Sequence, residues 1–348
     1  MSLSGVLTFG LADIAGAAFS LPLFSLFIAV IVAGGIAIVA SRPRDVADAA
    51  GSSPRSTGLP AGSGYRAVRI ALTTAAIVVI VVFGVENVLR GYVLDLYGIT
   101  AWWRFATPVF AAGLALAVIA AVAARSAARP VVPVVTGERR TWRTFVPRAT
   151  LIGGAVALAA VLVTTIAAGL VAYVGSNGES AWLEIPINNA PEIDPVRLNF
   201  YGWTFGIPVL ICAALLVAAT GALLHLTAAR PYIRPETVVV ERQERRAAAR
   251  DAVRIATAGL LLALAGAWRL IASAGGVSGL TIDGQNDGAM FEVMWRHSEL
   301  ALAAGRCAPV LEVVAFVLLL LVIGQAGRAK ATRSSDRAEA ASEAEVAR

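Results

Sequence analysis

Charge is scarce in this chain: only 15% of its 348 residues are Asp, Glu, Lys or Arg, where a soluble domain carries about a quarter. Lysine is almost missing, with Lys330 alone. The two cysteines, Cys212 and Cys307, cannot make a disulfide framework or a zinc ligand set; two free, packed thiols are the expected state, with a disulfide between them as the alternative. The two histidines, His225 and His297, have no second histidine at ligand spacing. Asp283-Gly-Gln-Asn-Asp287-Gly lacks the alternating acids and closing Glu of a calcium loop, so it reads as a turn. No phosphate-binding loop, dinucleotide turn, HExxH pair or GxSxG elbow occurs. No cofactor, metal or catalytic residue is therefore called for.

What is present is apolar. Hydrophobic residues make up 58% of the chain and its mean hydropathy is +0.74. They fall in seven runs, near 18–40, 68–88, 106–126, 149–174, 205–228, 252–273 and 307–327. Each is apolar all round and holds about twenty residues, enough to cross roughly 30 Å of hydrocarbon. The charges between the runs are sorted by sign. Arg42, Arg44, Arg55 and Arg66 follow the first run, Arg125 to Arg148 the third, and Arg230 to Arg250 the fifth. The alternate loops are acidic, with Glu179, Glu184, Glu192 and Asp194 in one and Asp283, Asp287 and Glu292 in another. Because positive loops stay in the cytoplasm, the N-terminus is expected outside and the C-terminus inside the plasma membrane. The net charge of +6 then belongs to membrane topology, and nucleic acid is not an expected partner. The first twenty residues contain no Lys or Arg, so no cleaved signal peptide is expected. Arg- and Ala-rich usage with one lysine fits a GC-rich bacterial genome.

The runs share a layout. Pro22, Pro108, Pro208 and Pro309 open the first, third, fifth and seventh, where the missing proline N–H costs least, and an arginine closes each. Spans two and six open alike, as Ala67-Val-Arg-Ile-Ala and Ala252-Val-Arg-Ile-Ala. The layout predicts an all-α integral membrane protein of about seven helices: one leading helix and three similarly oriented helical-hairpin repeats. In residues these are an external N-terminus and first helix (1–40), a flexible cytoplasmic linker (41–66), hairpins at 67–130, 131–235 and 236–328, and a disordered cytoplasmic tail (329–348), frayed or loosely helical. Residues 236–250 are expected to extend span six as a helical stem. On Pro108-Val109, Pro208-Val209 and Pro309-Val310 the chain resembles bacterial multi-pass membrane proteins built from repeated helical hairpins, over roughly 66–328. That resemblance implies an architecture and no activity.

Few residues could carry chemistry. Arg269 lies 15 residues beyond Arg254, about 22 Å along span six, and Glu312 lies a few residues inside the outer end of span seven, so both are expected in the outer quarter of the membrane. A charge there is costly alone and tolerable when paired, which makes Arg269 and Glu312 a candidate intramembrane ion pair. It serves either as a gate or substrate contact, or as a static pair. Glu86, Arg90, Asp95 and Arg104 form a candidate external polar cluster beside it, or simply lie solvated at headgroup level. Aromatic residues precede spans three, five and seven (Trp102, Trp103 and Phe105; Phe200, Tyr201, Trp203 and Phe205; Phe291 and Trp295). They read as an interfacial belt, with an external apolar pocket as the alternative. Gly153 and Gly154 form a small-residue face suited to a partner helix. Together these features point to a non-enzymatic accessory, scaffold or sensor whose partners are the bilayer and other membrane proteins. The alternative is a transporter or channel for an apolar or amphipathic solute.

Overall fold

Each long apolar run becomes a helix, because a backbone in hydrocarbon must satisfy its own N–H and C=O groups. The structure is a computed structural model and describes residues 22–41, 63–89, 100–125, 144–190, 192–230, 238–280 and 290–346. Seven helices result among the described residues: α1 (Pro22–Ser41), α2 (Ser63–Val88), α3 (Thr107–Arg125), α4 (Arg148–Val171), α5 (Trp203–Ala229), α6 (Val238–Gly275) and α7 (Ser298–Val346). Six of them, α2 to α7, are long and apolar enough to cross a membrane, and α1 adds the shorter apolar run Phe24–Val39. The external N-terminus, much of the linker, Arg90 and Asp95, the loop after α3 and the turn at 283–288 lie outside the described residues.

The bundle is inside-out relative to a soluble protein. On α3, Ala112, Leu116 and Ala120 are buried, while Leu114, Val118 and Val122 are exposed. At this helical spacing one face meets protein and the other, equally apolar, meets lipid. The central post is α6, which packs against α2, α3, α4, α5 and α7. Leu260 to Ala265 are buried without interruption, an all-round apolar stretch that only surrounding helices can cover. The first helix, α1, is peripheral and packs chiefly on α7.

Two helices are longer than their apolar runs. The polar stretch from Val238 continues into α6 without a break, and the backbone from Ala326 to Val346 continues α7 where a disordered or loosely helical tail was expected. Both stretches are rich in Ala, Arg and Glu, strong helix formers that need no hydrophobic signal. Early helix starts at Trp203 and Ser298 also move two prolines. Pro108 sits in the first turn of α3, but Pro208 and Pro309 lie inside α5 and α7. There they remove a helix hydrogen bond instead of filling an already unbonded position.

The arginine-rich end is tied by arginine–carbonyl bonds. Arg230 Nη2 donates to Ala123 O near the end of α3, the buried Arg245 donates from Nη1 to Arg230 O, and Arg69 Nη2 donates to Gln325 O on α7. The bonds to Ala123 O and Arg230 O complete helix C-termini, whose last carbonyls have no partner in their own helix, whereas Gln325 lies inside α7 and its carbonyl takes Arg69 as an added partner.

The opposite end carries a small β structure absent from the sequence-based expectation. Strands β1 (Tyr173–Val174), β2 (Ser180–Ile185) and β3 (Val196–Asn199) form an antiparallel meander between α4 and α5, and β4 (Gly279–Leu280) pairs with β5 (Phe291–Glu292) between α6 and α7. Alternation explains β2: Ala181, Leu183 and Ile185 point inward, with Ser180, Trp182 and Glu184 facing out. The two loops join at the Ile187–Val293 bridge. Asn189 reinforces it by mimicking a strand: its Oδ1 accepts from Glu292 N at 3.0 Å and its Nδ2 donates to Met290 O at 3.1 Å.

This cap changes the meaning of the aromatic residues. Trp102 and Trp103 are exposed, as an interfacial belt requires, but Phe105, Phe200, Tyr201, Phe205 and Phe291 are buried. The sheet roofs the helix ends and gives these rings a dry side to pack under. Phe105 meets Tyr201 and Phe205 edge to face, with centroids 5.3 and 5.5 Å apart. Burial pushes the Tyr201 phenol up to about 12 from 10.0, partly offset by its hydrogen bond with Thr165. The neutral form is favoured in the fold, so this contribution to stability is whole below pH 10 and is lost between about pH 10 and 12. Tyr201→Phe is expected to flatten that part of the alkaline unfolding curve in detergent, measured by circular dichroism.

Candidate functional site

The site lies where α6, α7 and α1 meet near the sheet end. Arg269 grips Glu312 with both arms of its fork: Nε donates to Oε1 at 2.7 Å and Nη2 to Oε2 at 2.8 Å. This bidentate geometry fixes direction as well as distance. A third helix joins in, because Ser25 Oγ on α1 donates to Glu312 Oε2 at 2.6 Å. The carboxylate is 2% exposed and the guanidinium side chain 28%, so the pair is buried on its acidic side and open on its basic side. One turn further along α7, Phe316 packs edge to face on Phe83 of α2.

The open side faces a cleft of about 470 Å³. On α6, Leu262, Gly266, Arg269 and Ser273 fall on one face at helical spacing and form its back wall. Phe83, Glu86 and Asn87 of α2 line one flank, and Thr100, Arg104 and Phe105 the other. Leu198 and Asn199 of β3 close the top. Hydrogen bonds orient several of these groups. Asn199 Nδ2 donates to Thr100 Oγ1, Asn87 Nδ2 to Phe83 O, and Ser273 Oγ to Leu270 O. The lining holds two guanidiniums, Arg104 and Arg269, and two carboxylates, Glu86 and Glu312. Its formal charge is balanced, and its volume lies within the range of roughly 300–1,000 Å³ typical of small-molecule sites.

Beneath this cleft the bundle is dry. Buried α6 residues from Leu260 to Ala265 separate it from the arginine-rich end. The arrangement therefore presents fixed charges of both signs to a visitor from one side.

Four of the six candidate charges, Arg269, Glu312, Glu86 and Arg104, line this one cleft, while Arg90 and Asp95 lie outside the described residues. The aromatic residues do not form a pocket of their own, although Phe105 contributes a wall. Gly153 and Gly154 split: Gly154 faces Thr257 and Val253 of α6, and Gly153 faces open space. Both cysteines are free; Cys307 is exposed and not packed as expected, because its side of α7 faces outward. Among the described residues no group of three or more His, Cys, Asp or Glu comes together.

Several contributors had no expectation attached to them, Ser25 and Asn199 among them. Ser25 is the one hydroxyl in the apolar run Phe24–Val39, and its partner is 287 residues away. Asn199 sits at the end of β3, whose existence depends on pairing with β2. The alternation in Ser180–Ile185 was the only available signal for that sheet. Compared with protein-family models, characterised proteins and solved structures, the chain matches none.

Proposed function

We propose that this chain is a seven-span membrane protein with its sheet end outside and its arginine-rich end in the cytoplasm. It acts without catalysis, as an accessory or sensor component that takes a small polar or amphipathic ligand in the sheet-end cleft. The observation that carries this reading is the cleft itself: balanced charges, oriented polar groups and apolar flanks above a dry floor. Arginine excess at one end and acids in the loops at the other support the orientation. The leading helix and three hairpins fit an origin by duplication of a two-helix unit, as the resemblance to hairpin-repeat bacterial membrane proteins implies.

A transport role is the second reading, favoured by the ion pair bordering the cleft. Cysteine accessibility separates the two, after Cys212 and Cys307 are replaced. In intact cells a membrane-impermeant maleimide is expected to label Ser273→Cys, and to label Arg246→Cys only after permeabilisation. Ala263→Cys, on the dry floor, should stay unlabelled from both sides. Labelling of Ala263→Cys would favour transport, and reversed sidedness would sink the orientation. A mild-detergent preparation is expected to carry a co-purifying membrane partner; this chain alone would count against the accessory role.

A further inference from the structure

A second cleft, of about 400 Å³, lies at the arginine-rich end between the start of α4 and the polar stem of α6. Its chemistry is the opposite of the first. Arg246 and Arg250 line it together with Thr144 and Gln243, and among the described residues no carboxylate does. Two acids of α6 are engaged elsewhere. Asp251 bonds Arg254 at 3.2 Å and approaches Arg250 Nε only to 3.9 Å, and Glu241 bonds Arg245 at 3.4 Å. Arg250 Nη2 is anchored to Gln325 Oε1 at 2.9 Å, which holds that guanidinium in place. Arg246 is exposed and has no ion-pair partner among the described residues.

The far wall is rigid. Phe145 and Val146 are buried in a small core with Leu224, Ala228, Ala249 and Val253, so Thr144 and Pro147 are held against α5 and α6. The cleft also sits at a change in polarity. Below it α6 reads Val238 to Arg254, rich in charge; above it, from Ile255, the helix is almost wholly apolar and buried. Across the cleft, α4 passes from Arg148 to exposed Ile152 and Val156, with Gly153 open between them. In a bilayer such a boundary falls at headgroup depth.

From this we infer that the cleft binds the phosphate of an anionic phospholipid, with the acyl chains lying along Ile152, Gly153 and Val156. Guanidinium forks match phosphate oxygens, and among the described lining residues no carboxylate competes for them. A soluble phosphate would satisfy the same arginines; the apolar track leading away from the cleft is what selects the lipid.

The test uses the full chain in micelles, with retained lipid read by native mass spectrometry. Wild type is expected to retain phosphatidylglycerol over phosphatidylcholine. Arg246→Gln alone should weaken that preference severalfold, and Arg246→Gln with Arg250→Gln by roughly tenfold or more. Arg242→Gln, on the same stem but outside the cleft, should retain it. Equal retention of the two lipids by wild type, or equal loss in Arg242→Gln, overturns the proposal. So does inorganic phosphate, in lipid-free micelles, raising the melting temperature as much as phosphatidylglycerol does; that result would give the site to a soluble anion. Arg246 makes no ion pair among the described residues, so its single variant is expected to fold and keeps the test decisive.

Discussion

Arg269→Met should cost about 3–5 kcal/mol of stability, because it leaves the Glu312 carboxylate buried with only the Ser25 hydroxyl beside it. Glu312→Leu should cost less, since Arg269 is partly open to the cleft and keeps access to water. The double variant Arg269→Met with Glu312→Leu should recover most of the loss, because an apolar pair of similar volume needs no desolvated charge. Melting curves in one detergent give all four corners of this cycle. A coupling of about 2 kcal/mol or more is expected; additive losses would mean that the contact contributes nothing of its own. The double variant also separates roles. If the pair only holds helices together, the variant is folded and unaltered in ligand or partner binding. If the pair orients a ligand, the variant is folded and inert.

The second large effect is expected at Gly202, where the chain turns from β3 into α5. A Cβ built there overlaps the Ser180 carbonyl oxygen and the Ala172 methyl. Both neighbours are fixed, one by the sheet and the other by the end of α4. The backbone at Gly202 is extended (φ −105°), so the demand for glycine comes from close approach and not from the torsion angle. Gly202→Val should force the sheet off the helix ends and cost about 3 kcal/mol, with Gly202→Ala milder. Limited proteolysis of the loop at 175–202 would report it, since a lifted cap exposes Phe200 and Tyr201. Unchanged protease resistance would show that the cap can shift at little cost.

How much of this was legible beforehand depended on distance along the chain. The helices were legible because lipid demands a long apolar run, a local property. Glu312 and Arg269 stood out because a lone charge in such a run is conspicuous. The stem from Val238 was legible in its helix-forming Ala, Arg and Glu, whereas the start of α7 at Ser298 was not, since residues 298–306 precede the long apolar run. The cap was hidden for a different reason. Its strands are short, and Asn189 finds Met290 and Glu292 across 101 and 103 residues. Ser25 was hidden most thoroughly: one hydroxyl among aliphatic side chains carries no local signal of the carboxylate it serves.

That last contact bears on how the protein is made. Among the described helices, Ser25 belongs to the one synthesised earliest and Glu312 to the one synthesised latest. At about 5–20 residues per second, their separation of 287 residues corresponds to roughly 15–60 s of synthesis. Throughout that interval α1 has little protein to lean on, because its principal neighbour α7 does not yet exist. It must wait in lipid, or beside an insertion factor, and be recruited once Glu312 arrives already gripped by Arg269. An early helix is thus among the last to be docked, and chains cut short before α7 would display α1 unclaimed to membrane quality control.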